Sequence, residues 1–118
     1  MKSKTEITDA FIQEAISSGK QYCVRLYKAG PNRNQPPEEA EKIQTEHLRH
    51  LFRLRAEGKL LINGPIIDDP DFKGISIFST ADKEEVKRLS DEDPAVKADR
   101  LVYEIYHWFG LPGDCLPE

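Results

Sequence analysis

A chain of 118 residues with 32% charged residues, three histidines and a formal net charge of −4 is long enough for one domain whose core needs no staples. The acidic balance leaves no basic field to draw in nucleic acid, and no run of about 18 apolar residues offers a membrane span. The N-terminus MKSKTEITDAF lacks the apolar centre of a signal peptide, and Cys23 and Cys115, neither in a CxxC pair, make no disulfide framework, so a soluble, cytoplasmic protein with free thiols is expected.

Between Thr8 and Gly19, the residues Phe11, Ile12, Ala15 and Ile16 share one face. They predict a short amphipathic helix, begun by Thr8 or Asp9 and stopped at the glycine, that packs as an added lid. From Gln21 to Lys28 the period changes to two, with Tyr22, Val24 and Leu26 on one side and Cys23, Arg25 and Tyr27 on the other, which predicts a strand. AGPNRNQ, from Ala29 to Gln35, breaks that strand. Pro36 and Pro37 fit only outside a helix or in its first turn, where Glu38, Glu39 and Glu41 meet unpartnered backbone N–H groups. A helix from about Pro37 to Glu57, closed by Gly58, is the reading, and Arg49, Arg53 and Arg55 belong to its solvated side.

That helix carries a histidine in its apolar stripe. At about 100° per residue, His47 falls roughly 40° from both Ile43 and Leu51, whereas His50 turns about 60° away toward the charged flank. A titratable ring on a face that packs against a sheet is either a core histidine with satisfied nitrogens or a group put to use. The two rings diverge and no carboxylate stands as a third ligand, so no metal site is read from the H-x-x-H pair.

Leu60, Leu61, Ile62 and Asn63 before Gly64-Pro65 read as a short second strand. Asp68, Asp69, Pro70 and Asp71 read as a turn, because the glycine and distal glutamate of a calcium loop are missing. Gly74 to Ser79 alternates as a third strand in a hairpin with the second. Thr80 is placed to cap a helix running to about Ser90, with Val86 and Leu89 inward. Asp93-Pro94 has the form of a helix start, and Leu101, Tyr103 and Ile105 alternate with Val102, Glu104 and Tyr106 as a fourth strand. The tail HWFGLPGDCLPE is expected to fold back, anchored by Trp108 and Phe109.

An added helix followed by β-α-β-β-α-β describes an α+β, ferredoxin-like sandwich, with both crossover helices on one face of a four-stranded antiparallel sheet. The expected divisions are an N-terminal helical extension over 1–20, the ferredoxin-like domain over 21–110 and a tail over 111–118. With the apolar alternates turned to the helices, the free face carries Arg25, Tyr27, Phe78, Glu104 and Tyr106, too aromatic for water and too polar for a dry core. A second copy packed face to face around a partly polar cavity resolves this, so a homodimer is predicted against a monomer with a solvated sheet face.

Four stretches, YKAGPNRNQ (27–35), EHLRHLFRLRAEGKLLINGP (46–65), GISIF (74–78) and DPAVKADRLVYEIYHWFG (93–110), resemble in order and spacing the YCII-related (YciI-like) proteins. These are small dimeric α/β-barrel proteins of ferredoxin-like fold. The resemblance implies a catalytic pair from a histidine early in the first crossover helix and the aspartate of a DP dipeptide, here His47 and Asp93. An aspartate on one ring nitrogen would fix the tautomer and stabilise the imidazolium. Some relatives eliminate chloride from a chlorinated hydroxyquinol, and similar barrels include muconolactone isomerases. Asp99 stands where a glycine commonly precedes the arginine in KAGR.

The functional expectation is a lyase or isomerase that needs no cofactor and no metal, and removes a proton from a small cyclic, oxygenated or halogenated molecule. Arg25, Lys28 and Arg100, with Arg33 as a fourth cation, are candidates to hold an anionic substrate group, and each alone also reads as a solvated charge. The competing class is a non-catalytic homodimeric module that binds a small molecule or a protein, with His47 as packing in a purely structural version.

Overall fold

Period-two runs separated by glycine, proline and aspartate turns become strands, and the second and third 3.6-period runs become crossover helices. The computed structural model describes residues 6–118. The first five residues of the extension expected over 1–20 lie outside the described residues. In chain order the elements are α1 (Asp9–Ser17), β1 (Lys20–Ala29), α2 (Pro37–Ala56), β2 (Leu60–Pro65), β3 (Phe72–Phe78), α3 (Lys83–Asp91), α4 (Pro94–Lys97) and β4 (Leu101–Gly110). The strands form one antiparallel sheet in the order β2-β3-β1-β4, the ferredoxin-like arrangement. No helix among the described residues is long and apolar enough to cross a membrane.

One cluster forms the core: Leu51 and Leu54 from α2 and Val86 and Leu89 from α3 meet Cys23, Leu60 and Phe78 from the sheet. The helix α2 ends as Gly58 takes a φ of 76°, a left-handed turn that a Cβ would resist, and the N–H groups of Gly58 and Lys59 close the last carbonyls. At the β2–β3 turn, the Asp69 carboxylate accepts from the N–H groups of Asp71 and Phe72, so the acidic cluster serves as turn chemistry.

In β1 and β3 the sheet faces are the reverse of the sequence expectation. Cys23, Arg25, Tyr27, Ser76 and Phe78 turn toward the helices and are buried, while Val24 and Leu26 lie on the open face with Ile75, Val102, Tyr106 and Trp108. The cause is hydrogen bonding. Arg25 and Tyr27 find polar partners on the helix side, so the mixed face goes inward and the more apolar face is left open. Glu104 and Tyr106 are on the open face, as expected.

Three local features also differ. His107 to Gly110 do not fold back but extend β4, pairing with Cys23 to Lys20, because alternation continues through the aromatic run. The N-cap of α3 is Asp82, whose carboxylate accepts from Glu84 N–H, while Thr80 instead holds Asp82 N–H. Thr8 caps α1, yet no residue of α1 is buried and Phe11, Ile12 and Ile16 remain exposed, so this helix does not pack as a lid on the described residues of its own chain. With β4 paired along β1 as far as Lys20, the chain leaves the sheet only at Gly19, and the nine-residue helix before it buries none of its residues.

Candidate active site

Three elements deliver one network. Tyr27 comes from near the end of β1, His47 from the third turn of α2, and Asp93 from the residue just before α4. Asp93 is the N-cap of that short helix, and Pro94 at the first helical position fixes the chain direction. Its Oδ1 accepts from Ala95 N–H at 2.9 Å. Its Oδ2 lies 2.7 Å from His47 Nδ1 and accepts from the Tyr27 hydroxyl at 2.6 Å. Capping and contact with the histidine therefore coexist on one carboxylate.

The Asp93 side chain is fully sealed from solvent. Burial alone would raise its pKa, but the hydrogen bond and charge of His47, the Tyr27 hydroxyl and the Ala95 N–H outweigh it and hold the carboxyl below its ordinary range. In the neutral form of the ring, a carboxylate on Nδ1 favours the proton there and leaves Nε2 as the acceptor. No protein group bonds Nε2, yet the single sealed and unpartnered side-chain atom among the described residues is Arg25 Nε. His47 Nε2 is therefore open, and the ring lines a cleft of about 250 Å³.

Tyr27 is the member that sequence reasoning misses, since alternation alone puts it on the open face. Its pKa is pushed far up by burial and by the charge and hydrogen bond of Asp93, with Arg25 opposing, so the phenol stays a donor. The alternation of β1 carries the signal: a tyrosine two residues after an arginine on one strand face demands polar partners opposite.

Arg25 is wholly buried and does not line the cleft. Its guanidinium lies 3.9 Å from the Tyr27 ring centroid and donates to Ser90 Oγ at 3.0 Å and Ser76 Oγ at 2.9 Å. Burial lowers its pKa, and Tyr27 and Asp93 counter that. Lys28 is also off the cleft, paired with Glu104 at 3.2 Å on the open face. Of the three cations expected to hold substrate, Arg100 alone lines the cleft with His47, joined by Arg33 and Lys73.

His50 is buried rather than on the charged flank, because α3 packs beside it and the Leu89 carbonyl lies 2.9 Å from its Nε2. It is a satisfied core histidine. Among the described residues no three His, Cys, Asp or Glu side chains converge as metal ligands. A larger groove of about 500 Å³, lined by residues such as Leu48, Phe52, Leu61 and Leu116, holds no histidine or carboxylate, so the chemistry concentrates in the smaller cleft.

No curated protein matches the chain. Among solved structures, a 5-chloro-2-hydroxyhydroquinone dehydrochlorinase (TftG) from Burkholderia phenoliruptrix AC1100, in complex with 2,5-dihydroxybenzoquinone, is similar with a TM-score of 0.53 and 22% identity. The likeness covers 73% of this chain and 92% of that one, and it supports the fold. The sequence pattern of the YCII-related domain matches residues 21–109, from the second residue of β1 to the penultimate residue of β4. The chain therefore belongs to the YCII-related family.

Proposed function

We propose that this chain is a lyase or isomerase acting without a cofactor on a small cyclic, oxygenated molecule, with His47 as general base. The supporting observation is the 2.7 Å contact of His47 Nδ1 with the sealed Asp93 carboxylate, which leaves Nε2 open to the cleft. In this reading Nε2 takes the substrate proton and Asp93 stabilises the imidazolium. The electron pair left on the substrate expels a leaving group such as chloride in a lyase, or recaptures a proton at a neighbouring carbon in an isomerase. Tyr27 holds the carboxylate in place. A cytoplasmic setting belongs to the same proposal, supported by the free thiols of Cys23 and Cys115.

A homodimer formed through the open sheet face completes the proposal. Its support is the apolar character of that face, where Ile75, Val102, Tyr106 and Trp108 are each at least 37% exposed. Sedimentation at micromolar concentration is expected to report twice the 13.5 kDa chain mass. A single-chain mass overturns the dimer.

Chloride release from 5-chloro-2-hydroxyhydroquinone tests the chemistry. The protein is expected to release chloride saturably, and His47→Ala to lower the rate about 10²–10⁴-fold while ligand binding persists. An undiminished rate in His47→Ala removes the base assignment. No release by the unaltered protein removes chlorinated quinols from the substrate class.

A further inference from the structure

The cleft carries charge of one sign. Its ionised lining residues among those described are Arg33, Lys73 and Arg100, with no carboxylate beside them. The chain as a whole is acidic, at −4, so these cations are not the overflow of a basic protein. Asp93 pairs with none of them, because its oxygens are engaged by His47, Tyr27 and Ala95.

A tightly stitched loop presents the two arginines. Gly30 N–H donates to the Arg100 carbonyl at 2.8 Å, and Asn32 N–H donates to the Asp99 carbonyl at 3.0 Å. A Cβ on Gly30 would stand 2.2 Å from the Asp99 carbonyl oxygen, so the approach depends on glycine. Arg33 donates to the main-chain carbonyl of Arg100, and Arg100 donates to the Gln35 side-chain carbonyl. The Gln35 amide nitrogen is itself tied to the carbonyls of Asn32 and Ala98.

Both guanidinium groups are thus oriented by neutral oxygens, and neither is in an ion pair among the described residues. Partial burial first, and then the like charge of Arg100, lower the pKa of the largely exposed Arg33. Such an arrangement costs free energy until an anion joins it. Arginine forks match a planar carboxylate through paired N–H donors.

We propose that Arg33 and Arg100 form a carboxylate clamp in the cleft, so that the substrate carries a carboxylate in addition to the acidic position presented to His47. The inference rests on the general-base reading only for what happens at the other end of the ligand. A cleft of about 250 Å³ lies below the roughly 300–1,000 Å³ of drug-sized sites, which suits one ring with one such substituent. A neutral quinol would leave the clamp unused, so the clamp separates carboxylated rings from simple quinols.

Calorimetric titration with benzoate and with its neutral isostere benzamide tests the clamp on the unaltered protein. Benzoate is expected to bind about tenfold more tightly, since only it gains charge-assisted hydrogen bonds. The preference should vanish in Arg33→Gln/Arg100→Gln, weaken in Arg33→Lys/Arg100→Lys, and survive in Lys28→Gln, whose side chain lies on the other face. It should also survive in His47→Ala, so failure of the base leaves the clamp standing. Equal binding of the two probes overturns the inference, and so does undiminished benzoate binding in a folded double-glutamine variant.

Discussion

The phenol of Tyr27 and the carboxylate of Asp93 are joined by a 2.6 Å hydrogen bond at Oδ2, the oxygen nearer to His47 Nδ1. One buried oxygen thus serves two partners, and removing either changes what the other holds. Tyr27→Phe is expected to cost about 1–2 kcal/mol of stability by urea unfolding, the effect of withdrawing one donor from a buried charge. The Asp93 carboxyl should titrate higher in that variant by NMR, because the lost hydrogen bond favours the ionised form. An unchanged titration would mean that Tyr27 only fills space.

The pH dependence of stability follows from the same carboxylate. The folded-state pKa of Asp93 lies below its unfolded value, so its contribution is fully present above about pH 4 and is lost as pH falls through the folded value. Urea midpoints should fall on acidification below about pH 4, and the fall should be shallower in Asp93→Asn. Tyr27 and Tyr103 act at the other extreme. Burial raises both, Tyr103 to about 12 with help from Asp91, so their contribution is present below about pH 10 and is lost at higher pH. An acid limb of equal steepness in Asp93→Asn would assign acid sensitivity to other carboxylates.

Arg25 tests how the network is supported. Ser90 Oγ accepts from Arg25 and donates to the Val86 carbonyl, and Ser76 Oγ accepts from Arg25 and donates to Asn63 Oδ1. Arg25→Ala removes a buried cation, opens a cavity under Tyr27 and Phe78, and strips both hydroxyls of a donor. A loss of about 3–5 kcal/mol is expected. Arg25→Met keeps most of the volume and sheds a desolvated charge with an unpartnered Nε, so its cost should be less than half as large. Equal losses in chemical unfolding would show that charge rather than packing sets the cost.

Most of the topology is legible because its punctuation is strong: Pro36-Pro37, Gly58, Gly64-Pro65 and the acidic 68–71 turn separate runs of clear period. Facing is less legible. In β1 both alternating sets are large and partly apolar, and period two alone cannot say which set meets the helices. The deciding facts are long-range, since Ser90 and Asp93 lie 65 and 66 residues beyond Arg25 and Tyr27. The same error hides Tyr27 from the candidate site and places Arg25 there. His47 is visible as an anomaly in its stripe, but no local pattern pairs it with Asp93, 46 residues away. That pairing comes from the family resemblance.

Asp99 offers the sharpest local test. It has a φ of 58° and follows Ala98, the C-cap of α4. Its N–H donates to the Val96 carbonyl and Arg100 N–H donates to the Ala95 carbonyl, the paired bonds of a left-handed helix stop that usually employs glycine. Aspartate tolerates this region better than most residues, yet its Cβ still crowds the backbone. Asp99→Gly relieves that crowding and gives back part of the gain as unfolded-chain entropy, so a net stabilisation of about 0.5–1 kcal/mol is expected. Asp99→Val should instead lose about 1–2 kcal/mol, since a β-branched side chain is poorly tolerated at positive φ. Thermal unfolding of the pair gives the sign directly. Because the glycine variant preserves the stop that delivers Arg100 to the cleft, its affinity for benzoate should match that of the unaltered protein. A glycine variant that melts lower would show that the Asp99 side chain contributes more than its backbone conformation costs.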